Sequence, residues 1–278
     1  MNIKSYSKIN LTLKVNSKYK NGLHNIQSFY CLINLFDEID INRINSTKDE
    51  ISFKGRFKKF IKKKNNSVYN LLSQLRKLKL INSFYSITVK KNIPIFGGLG
   101  GGTSNAAFIL KYFFKNKVNK NLLNKLENKI GTDLRLFFQN QGYLKNLKTI
   151  IKIKNKQKFY FLLIQPKIKC STREIYSKIR EFSNKELFNE KITKSKKNIL
   201  NYLCNNRNDL QFIVEKKYPI IKRLLNDIKS ENGCYFSRMT GSGSVCYGLF
   251  RDQTVAKKAL YKLKLKYPKF WFTLAKTV

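Results

Sequence analysis

The stretch Gly97–Asn105, GGLGGGTSN, constrains this 278-residue chain more than any other part of it. Glycines at 97, 98, 100, 101 and 102 open backbone conformations closed to other residues and let the chain come close to a ligand. They also carry an entropic cost that a plain strand-to-helix turn does not require. Thr103 and Ser104 then open a helix. Its first N–H groups lack partners inside the helix and, with the positive end of the helix dipole, form an anion site. Spacing separates this loop from two other phosphate loops. A Walker A loop needs a Lys after its glycines, and none follows here. The dinucleotide pattern GxGxxG fails as well, because Gly98-x-Gly100 is followed by Thr103 and Gly100-x-Gly102 by Asn105.

The surroundings of the loop alternate between strand and helix patterns. Ile9, Leu11, Leu13 and Val15 alternate with Asn10, Thr12 and Lys14, which predicts a half-buried strand. Asn21-Gly22 marks a turn, and Ser28–Phe36 a second apolar strand followed by a charged edge at Asp37–Asp40. Lys54–Lys64 reads as a lysine-rich loop or irregular strand. Val68, Leu71, Leu72, Leu75 and Leu78 share one helical face behind Asn66, a candidate N-cap. Phe84–Lys90 is a strand leading to Pro94 and the loop, and Ala106–Phe114 a buried helix. Leu122, Leu123, Leu126 and Ile130 predict another helix, closed by Gly131. A second unit begins near Phe159 with the strand FYFLLIQP. Helices over Ser171–Phe182 and Leu210–Ile228 follow, the latter punctuated by Pro219, with Lys191–Asn198 a low-complexity lysine and asparagine tract between them. Met239–Gly243, MTGSG, is a second glycine turn before a strand at Ser244–Phe250, a helix at Val255–Leu265 and a strand at Phe270–Leu274. The mixture predicts an α+β or α/β protein, divided into residues 1–156 and 157–278.

Composition removes several function classes. Lys and Arg number 57 against 16 Asp and Glu, a net charge of +41, which raises the possibility of nucleic-acid binding. The lysines are spread along the whole chain among Asn, Ile, Phe and Tyr, so they read as a biased, solvated surface and predict no specific nucleic-acid partner. Five scattered cysteines and the single histidine, His24, leave no disulfide framework, zinc site or multi-histidine metal centre. No stretch approaches the ~18 apolar residues of a membrane span. A cytoplasmic protein without membrane attachment is expected, with monomer and homodimer both open.

PIFGGLGGGTSNAA closely resembles the phosphate-binding motif of the GHMP kinases, and its GLGGG form resembles the branch acting on 4-diphosphocytidyl-2-C-methyl-D-erythritol. SKINLTLKV followed by NGLHNIQSFYCLINLFDEIDI is similar to the amino-terminal signature of that branch. GTDLRLFF, NDLQFIVEKKYPIIKRLL and RMTGSGSVCYGLF resemble three further segments, in the family's order and across nearly the whole chain. The resemblance implies an α+β two-domain GHMP kinase fold, with a ribosomal-protein-like amino-terminal domain and a ferredoxin-like carboxy-terminal one. It implies ATP-dependent phosphorylation of the 2-hydroxyl of that cytidyl-bearing alcohol, in non-mevalonate isoprenoid synthesis, with ATP and Mg²⁺. A homoserine or mevalonate kinase is the alternative within the family; the GLGGGTSNAA form and the segment His24–Ser28 argue against it. A basic nucleic-acid-binding protein is the alternative outside it.

The same matches imply roles for single residues. Asp133, in GTD, is the family's catalytic base; on local sequence alone it also suits a helix N-cap. Lys8, in SKIN, polarises the acceptor hydroxyl. The ATP side comprises Pro94, Gly97, Gly98, Leu99, Gly100, Gly101, Gly102, Thr103 and Ser104, with Asn66 and Lys91. On the acceptor side, Asn10 lies beside the alcohol, His24 reads the cytosine edge, and Tyr176, with Thr172 in STREIY, stacks on the base. No protein metal ligand is implied. The chain departs from the family at Leu23, where a Tyr would add stacking worth ~1 kcal/mol. It departs again at Arg135, which replaces the Pro after the catalytic Asp, and at Tyr6-Ser7, which replaces Pro-Ala.

Overall fold

The computed structural model describes residues 1–61 and 64–278, so the Lys54–Lys64 stretch is covered except for Lys62 and Lys63, which lie outside the described residues. The chain runs through β1 (Asn2–Asn10), β2 (Lys14–Lys18), β3 (His24–Ile44), β4 (Glu50–Lys54), α1 (Ser67–Lys77), β5 (Phe84–Lys90), α2 (Gly101–Phe113) and α3 (Lys120–Ile130). Then come β6 (Gln141–Asn146), β7 (Thr149–Lys152), β8 (Tyr160–Gln165), α4 (Thr172–Ser177), α5 (Lys196–Asn205), α6 (Asp209–Lys217) and α7 (Pro219–Lys229). β9 (Cys234–Met239), β10 (Cys246–Phe250), α8 (Gln253–Lys266) and β11 (Trp271–Lys276) follow. Two compact units emerge, and they are interleaved in sequence. The first holds Met1–Lys8, Leu35–Ile95 and Gly100–Gln139; the second holds Ile9–Asn34, Phe96–Leu99 and Asn140–Val278.

In the first unit, β3 pairs antiparallel with β5 from Glu38↔Lys90 to Ile44↔Phe84, and β5 pairs parallel with β4. Ile39, Ile41, Ile87 and Val89 are buried, each worth about 1.5–3 kcal/mol of transfer free energy. α1 begins where its N-cap was expected, because the Asn66 side chain accepts from the N–H groups of Val68 and Tyr69. Its buried face of Val68, Leu71, Leu72 and Leu75 packs among α2 and α3.

The second unit contains a β-α-β-β-α-β arrangement in which the sheet order is β11-β8-β10-β9, with every neighbouring pair antiparallel. This is the ferredoxin-like half. Phe161, Leu162, Leu163 and Ile164 of β8 are all fully buried, as the uninterrupted apolar run requires. α7 lies against β9 and β10, and α8 against β8 and β11. β2, residues 24–34 of β3, β6 and β7 belong to the same unit. Among the described residues, no helix is long and apolar enough to cross a membrane.

Several expected elements differ. The strand Ile9–Val15 is split between β1 and β2, because Leu11 and Thr12 both donate their N–H groups to the Phe29 carbonyl and Leu13 donates to Arg207. Its polar positions do not face water either. Asn10 and Thr12 are buried; Asn10 donates to Ser28 Oγ at 2.8 Å and Thr12 accepts from the Phe29 N–H at 2.9 Å. Asp37, expected on a charged edge, is fully buried. Leu210–Ile228 is two helices, since Pro219 takes the first position of α7 and holds Tyr218 out of the helical region. The helix expected over Ser171–Phe182 stops at Ser177. A helix not expected, α5, starts after the Ser195 N-cap inside the lysine and asparagine tract and buries Ile199 and Leu203.

Candidate active site

In the first unit the glycine-rich stretch from Gly100 onward runs directly into a helix. α2 begins at Gly101, two residues before the helix opening expected at Thr103, and Gly100 at its N-cap has φ +70°. A side chain at Gly100 would meet Phe137 Cζ at 2.9 Å and Lys8 Cε at 3.3 Å, so the loop backbone rests directly on Lys8. The first intrahelical bond runs from the Ser104 N–H to the Gly100 carbonyl at 2.8 Å. The N–H groups of Gly101, Gly102 and Thr103 lie ahead of it, at the positive end of the dipole. Ser104 turns its side chain inward and donates to the Tyr6 carbonyl at 2.6 Å. Gly102 faces Ser67 Oγ at the start of α1, the helix that Asn66 caps.

Lys8 Nζ lies 3.4 Å from Asp133 Oδ2, with the lysine side chain 4% exposed and the aspartate 32%. A sheltered ammonium thus faces a carboxylate that solvent or substrate can reach. Asp133 precedes a 3₁₀ turn, Leu134–Phe138, yet its side chain makes no capping bond there. Leu134, Leu136 and Phe137 seat that turn in the core. Arg135 ties it to α3, donating from Nε to Glu127 Oε1 at 2.5 Å, from Nη2 to Glu127 Oε2, and from Nη2 to Asn124 Oδ1 at 2.9 Å. Lys91 does not point into solvent beside the loop. It is 2% exposed, and its ammonium donates to Asp37 Oδ2 and to Asn105 Oδ1 at 2.9 Å. Burial lowers its pKa, and the Asp37 charge and hydrogen bond oppose that shift. Pro94, just before the loop, is buried.

In the second unit the head of the loop meets the MTGSG turn. The Ser244 N–H donates to the Phe96 carbonyl at 2.8 Å and the Val245 N–H to the Gly97 carbonyl at 3.4 Å. Gly98 has φ +71°, and a side chain there would overlap the Thr240 carbonyl. Leu99 is buried as an apolar anchor. The Asn10 N–H donates to Thr240 Oγ1 at 3.0 Å. Asn208 Nδ2 donates to the Met239 and Gly241 carbonyls at 2.8 Å each, while Asn208 Oδ1 caps α6. His24 faces Tyr176 with ring centroids 5.0 Å apart and Phe182 at 6.4 Å. Burial, with a smaller contribution from Lys18, lowers the His24 pKa from its ordinary value. Thr172 Oγ1 and Ser242 Oγ share a hydrogen bond of 2.8 Å. Thr240, Ser242, Asn208 and Phe182 were not singled out by the motifs. The first three stand inside matched segments, whereas Phe182 follows a helix that ended early and carries no local signal.

Among the described residues, no group of three or more His, Cys, Asp or Glu could hold a metal ion. The five cysteines are free thiols.

Comparison with known proteins places the chain in a family. The GHMP kinases N terminal domain matches residues 65–135, and the GHMP kinases C terminal domain matches residues 184–269. A 4-diphosphocytidyl-2-C-methyl-D-erythritol kinase of Pelagibacter ubique is 40% identical over 284 residues, covering 99% of this chain and 98% of the relative. A kinase of the same name from Anaplasma marginale is 30% identical, covering 97% and 94%. A crystal structure of 4-(cytidine 5'-diphospho)-2C-methyl-D-erythritol kinase shares the fold at TM-score 0.75 and 20% identity, with 100% of each chain covered. A homoserine kinase from Cytophaga hutchinsonii does so at TM-score 0.67 and 15% identity, covering 100% of this chain and 94% of its own. The two solved structures share the fold although they differ in name, so sequence identity sustained over the full length is what separates the branches. On that measure the chain belongs to the 4-diphosphocytidyl-2-C-methyl-D-erythritol kinase family of the GHMP kinases.

Proposed function

We propose that the protein transfers the γ-phosphoryl group of ATP to the 2-hydroxyl of 4-diphosphocytidyl-2-C-methyl-D-erythritol, a step of isoprenoid precursor synthesis. The carrying observation is the Lys8–Asp133 pair with the glycine loop resting on it. Asp133 takes the proton of the acceptor hydroxyl as its oxygen bonds to the γ-phosphorus. The bond to the β,γ-bridging oxygen breaks and ADP leaves. Lys8 offsets the negative charge developing on the attacking oxygen, and the N–H groups at the start of α2 hold the phosphates. A Mg²⁺ ion fits this donor set, because such ions are held mainly by substrate phosphates and one or two carboxylates. Asp133 is the carboxylate available to it, and the ion would neutralise phosphate charge. In the second unit, His24 and Tyr176 take the cytosine base, His24 by hydrogen bonding and Tyr176 by stacking, with Asn10 beside the alcohol. The division into 1–156 and 157–278 then separates the loop and catalytic pair from Thr172 and Tyr176. Action in the cytoplasm suits the free thiols.

A coupled ADP-release assay tests the reading. The cytidyl alcohol should be turned over, and homoserine and mevalonate should not. Asp133→Asn and Lys8→Met should each lower kcat by about 10²–10⁴-fold while ADP still binds. Turnover of homoserine or mevalonate with none of the cytidyl alcohol would sink the substrate assignment.

A further inference from the structure

Asp37, which stands in the amino-terminal motif but was given no role by it, is the hub of a polar network beneath the phosphate loop. Its carboxylate is fully buried and each oxygen takes two donors. Oδ1 accepts the backbone N–H groups of Asn92 at 2.7 Å and Ile93 at 2.8 Å. Oδ2 accepts Asn105 Nδ2 at 2.9 Å and the Lys91 ammonium. Asn92 and Ile93 are the residues just before Pro94, and Asn105 lies just beyond Ser104 in α2. One carboxylate therefore grips the chain on both sides of the glycine-rich segment.

The network continues toward Lys8. Asn105 Nδ2 donates to Ser5 Oγ at 3.1 Å, and Ser5 Oγ lies 2.7 Å from Ser104 Oγ. Ser104 in turn donates to the carbonyl of Tyr6, two residues ahead of Lys8 on β1. The strand that delivers Lys8 is thus tied to the helix that the loop opens.

Stability alone is a poor reason for this arrangement. A buried ion pair loses so much hydration that well-packed apolar side chains of similar volume often serve as well or better. What the pair and its amide partner supply is a defined position for the two ends of a segment whose glycines leave it little conformational preference of its own. We propose that Asp37, Lys91 and Asn105 are positioning residues of the phosphoryl-transfer site: they set the geometry of the phosphate loop and of Lys8 without touching nucleotide. Lys91 serves the nucleotide through Asp37 and Asn105. This rests on the reading of Gly97–Ser104 as the phosphate loop.

The test compares Asn105→Leu and Lys91→Met with Gln141→Leu. Gln141 is equally buried, but it bridges the N–H and carbonyl of Gln157, away from this network. Melting temperature, ADP affinity by calorimetry, and kcat and KM for both substrates are measured on the full chain. Asn105→Leu and Lys91→Met should each weaken ADP binding about tenfold or more and lower kcat, with the KM of the alcohol within about twofold, since small misplacements at a reacting centre have large effects. Lys91→Arg should recover much of the loss. Gln141→Leu should lower the melting temperature and leave ADP affinity unchanged. Asn105→Leu keeps the ion pair, so it carries the test if Lys91→Met does not fold. Unchanged ADP affinity in both network variants would overturn the proposal while leaving the phosphate loop intact. Loss confined to Lys91→Met would also overturn it, in favour of direct contact between Lys91 and nucleotide. Failure of the wild-type chain to bind ADP would remove the phosphate-loop reading, and the proposal with it.

Discussion

Arg135 stands where the family has a proline, and replacing it with methionine asks whether a charged fork now does the proline's work of fixing Asp133. The Arg135 and Glu127 side chains are each 10% exposed. Arg135→Met removes both bonds from the fork to Glu127 and leaves that carboxylate nearly buried without its counter-charge. An unpaired buried charge of this kind costs roughly 3–5 kcal/mol. The remaining opening to water favours the low end, about 3 kcal/mol, or a drop in Tm of roughly 6–12 °C at about 2–4 °C per kcal/mol. Glu127→Met combined with Arg135→Met replaces the pair by apolar side chains of similar length and should recover most of that stability. Activity should not return with it. The fork links the 3₁₀ turn after Asp133 to α3, and a displacement of about 1 Å at a reacting group costs on the order of 10²-fold. Both variants should therefore show kcat lowered by about 10–10²-fold, with ADP affinity kept. Calorimetric melting and ADP release, measured well below the lower Tm, separate the two effects. Recovery of kcat together with Tm in the double variant would show that the fork contributes stability alone.

Three further outcomes are expected. Gly98→Ala combines a positive φ with overlap on the Thr240 carbonyl, so it should cost about 2 kcal/mol or more and lower the yield of folded protein. Gly102→Ala meets only Ser67 Oγ at 3.2 Å and has an ordinary helical φ, so thermal melting should show it at least as stable as wild type. Its KM for ATP should nonetheless rise about tenfold, because the methyl narrows the approach of phosphate to the helix start; an unchanged KM would argue against that approach. Lys111 provides the pH dependence. Burial pushes it down to about 8, with Phe108 and Phe138 ring faces at 4.4 and 5.3 Å partly supporting the charge. The folded state therefore binds fewer protons than the unfolded one between about pH 8 and the ordinary lysine value of 10.5. The cost is fully present below pH 8 and is relieved as pH rises through that window, by at most about 3 kcal/mol. Urea unfolding of Lys111→Met should be more favourable to the native state at pH 7, and its advantage should shrink toward pH 10.5.

Much of the fold was readable because local rules and tertiary packing agreed. The face Val68–Leu75 behind Asn66 became α1, and the uninterrupted FYFLLI became a fully buried strand. Disagreement appeared where neighbours overrode local pattern. Leu11 and Thr12 share one carbonyl of β3, which breaks a strand that alternation had made continuous. α5 was hidden because its buried Ile199 and Leu203 are diluted by lysine and asparagine. The interleaving of the two units is equally invisible locally, since it depends on which distant segments pack with residues 9–34 and 96–99.

The candidate site divides along the same line. Sequence alone marked the glycine-rich loop as the candidate phosphate cradle, because glycine spacing and a helix start are local properties. It also marked Lys8, His24 and Asp133, through motifs that stay together along the chain. Only the tertiary structure decided that Lys8 meets Asp133, that Lys91 is turned inward onto Asp37, and that Arg135 grips Glu127. Each of those pairs joins a lysine or arginine that composition cannot tell from 56 others to a particular acid. An ion pair is defined by distance and by the water excluded around it, and both arise only once the chain has folded.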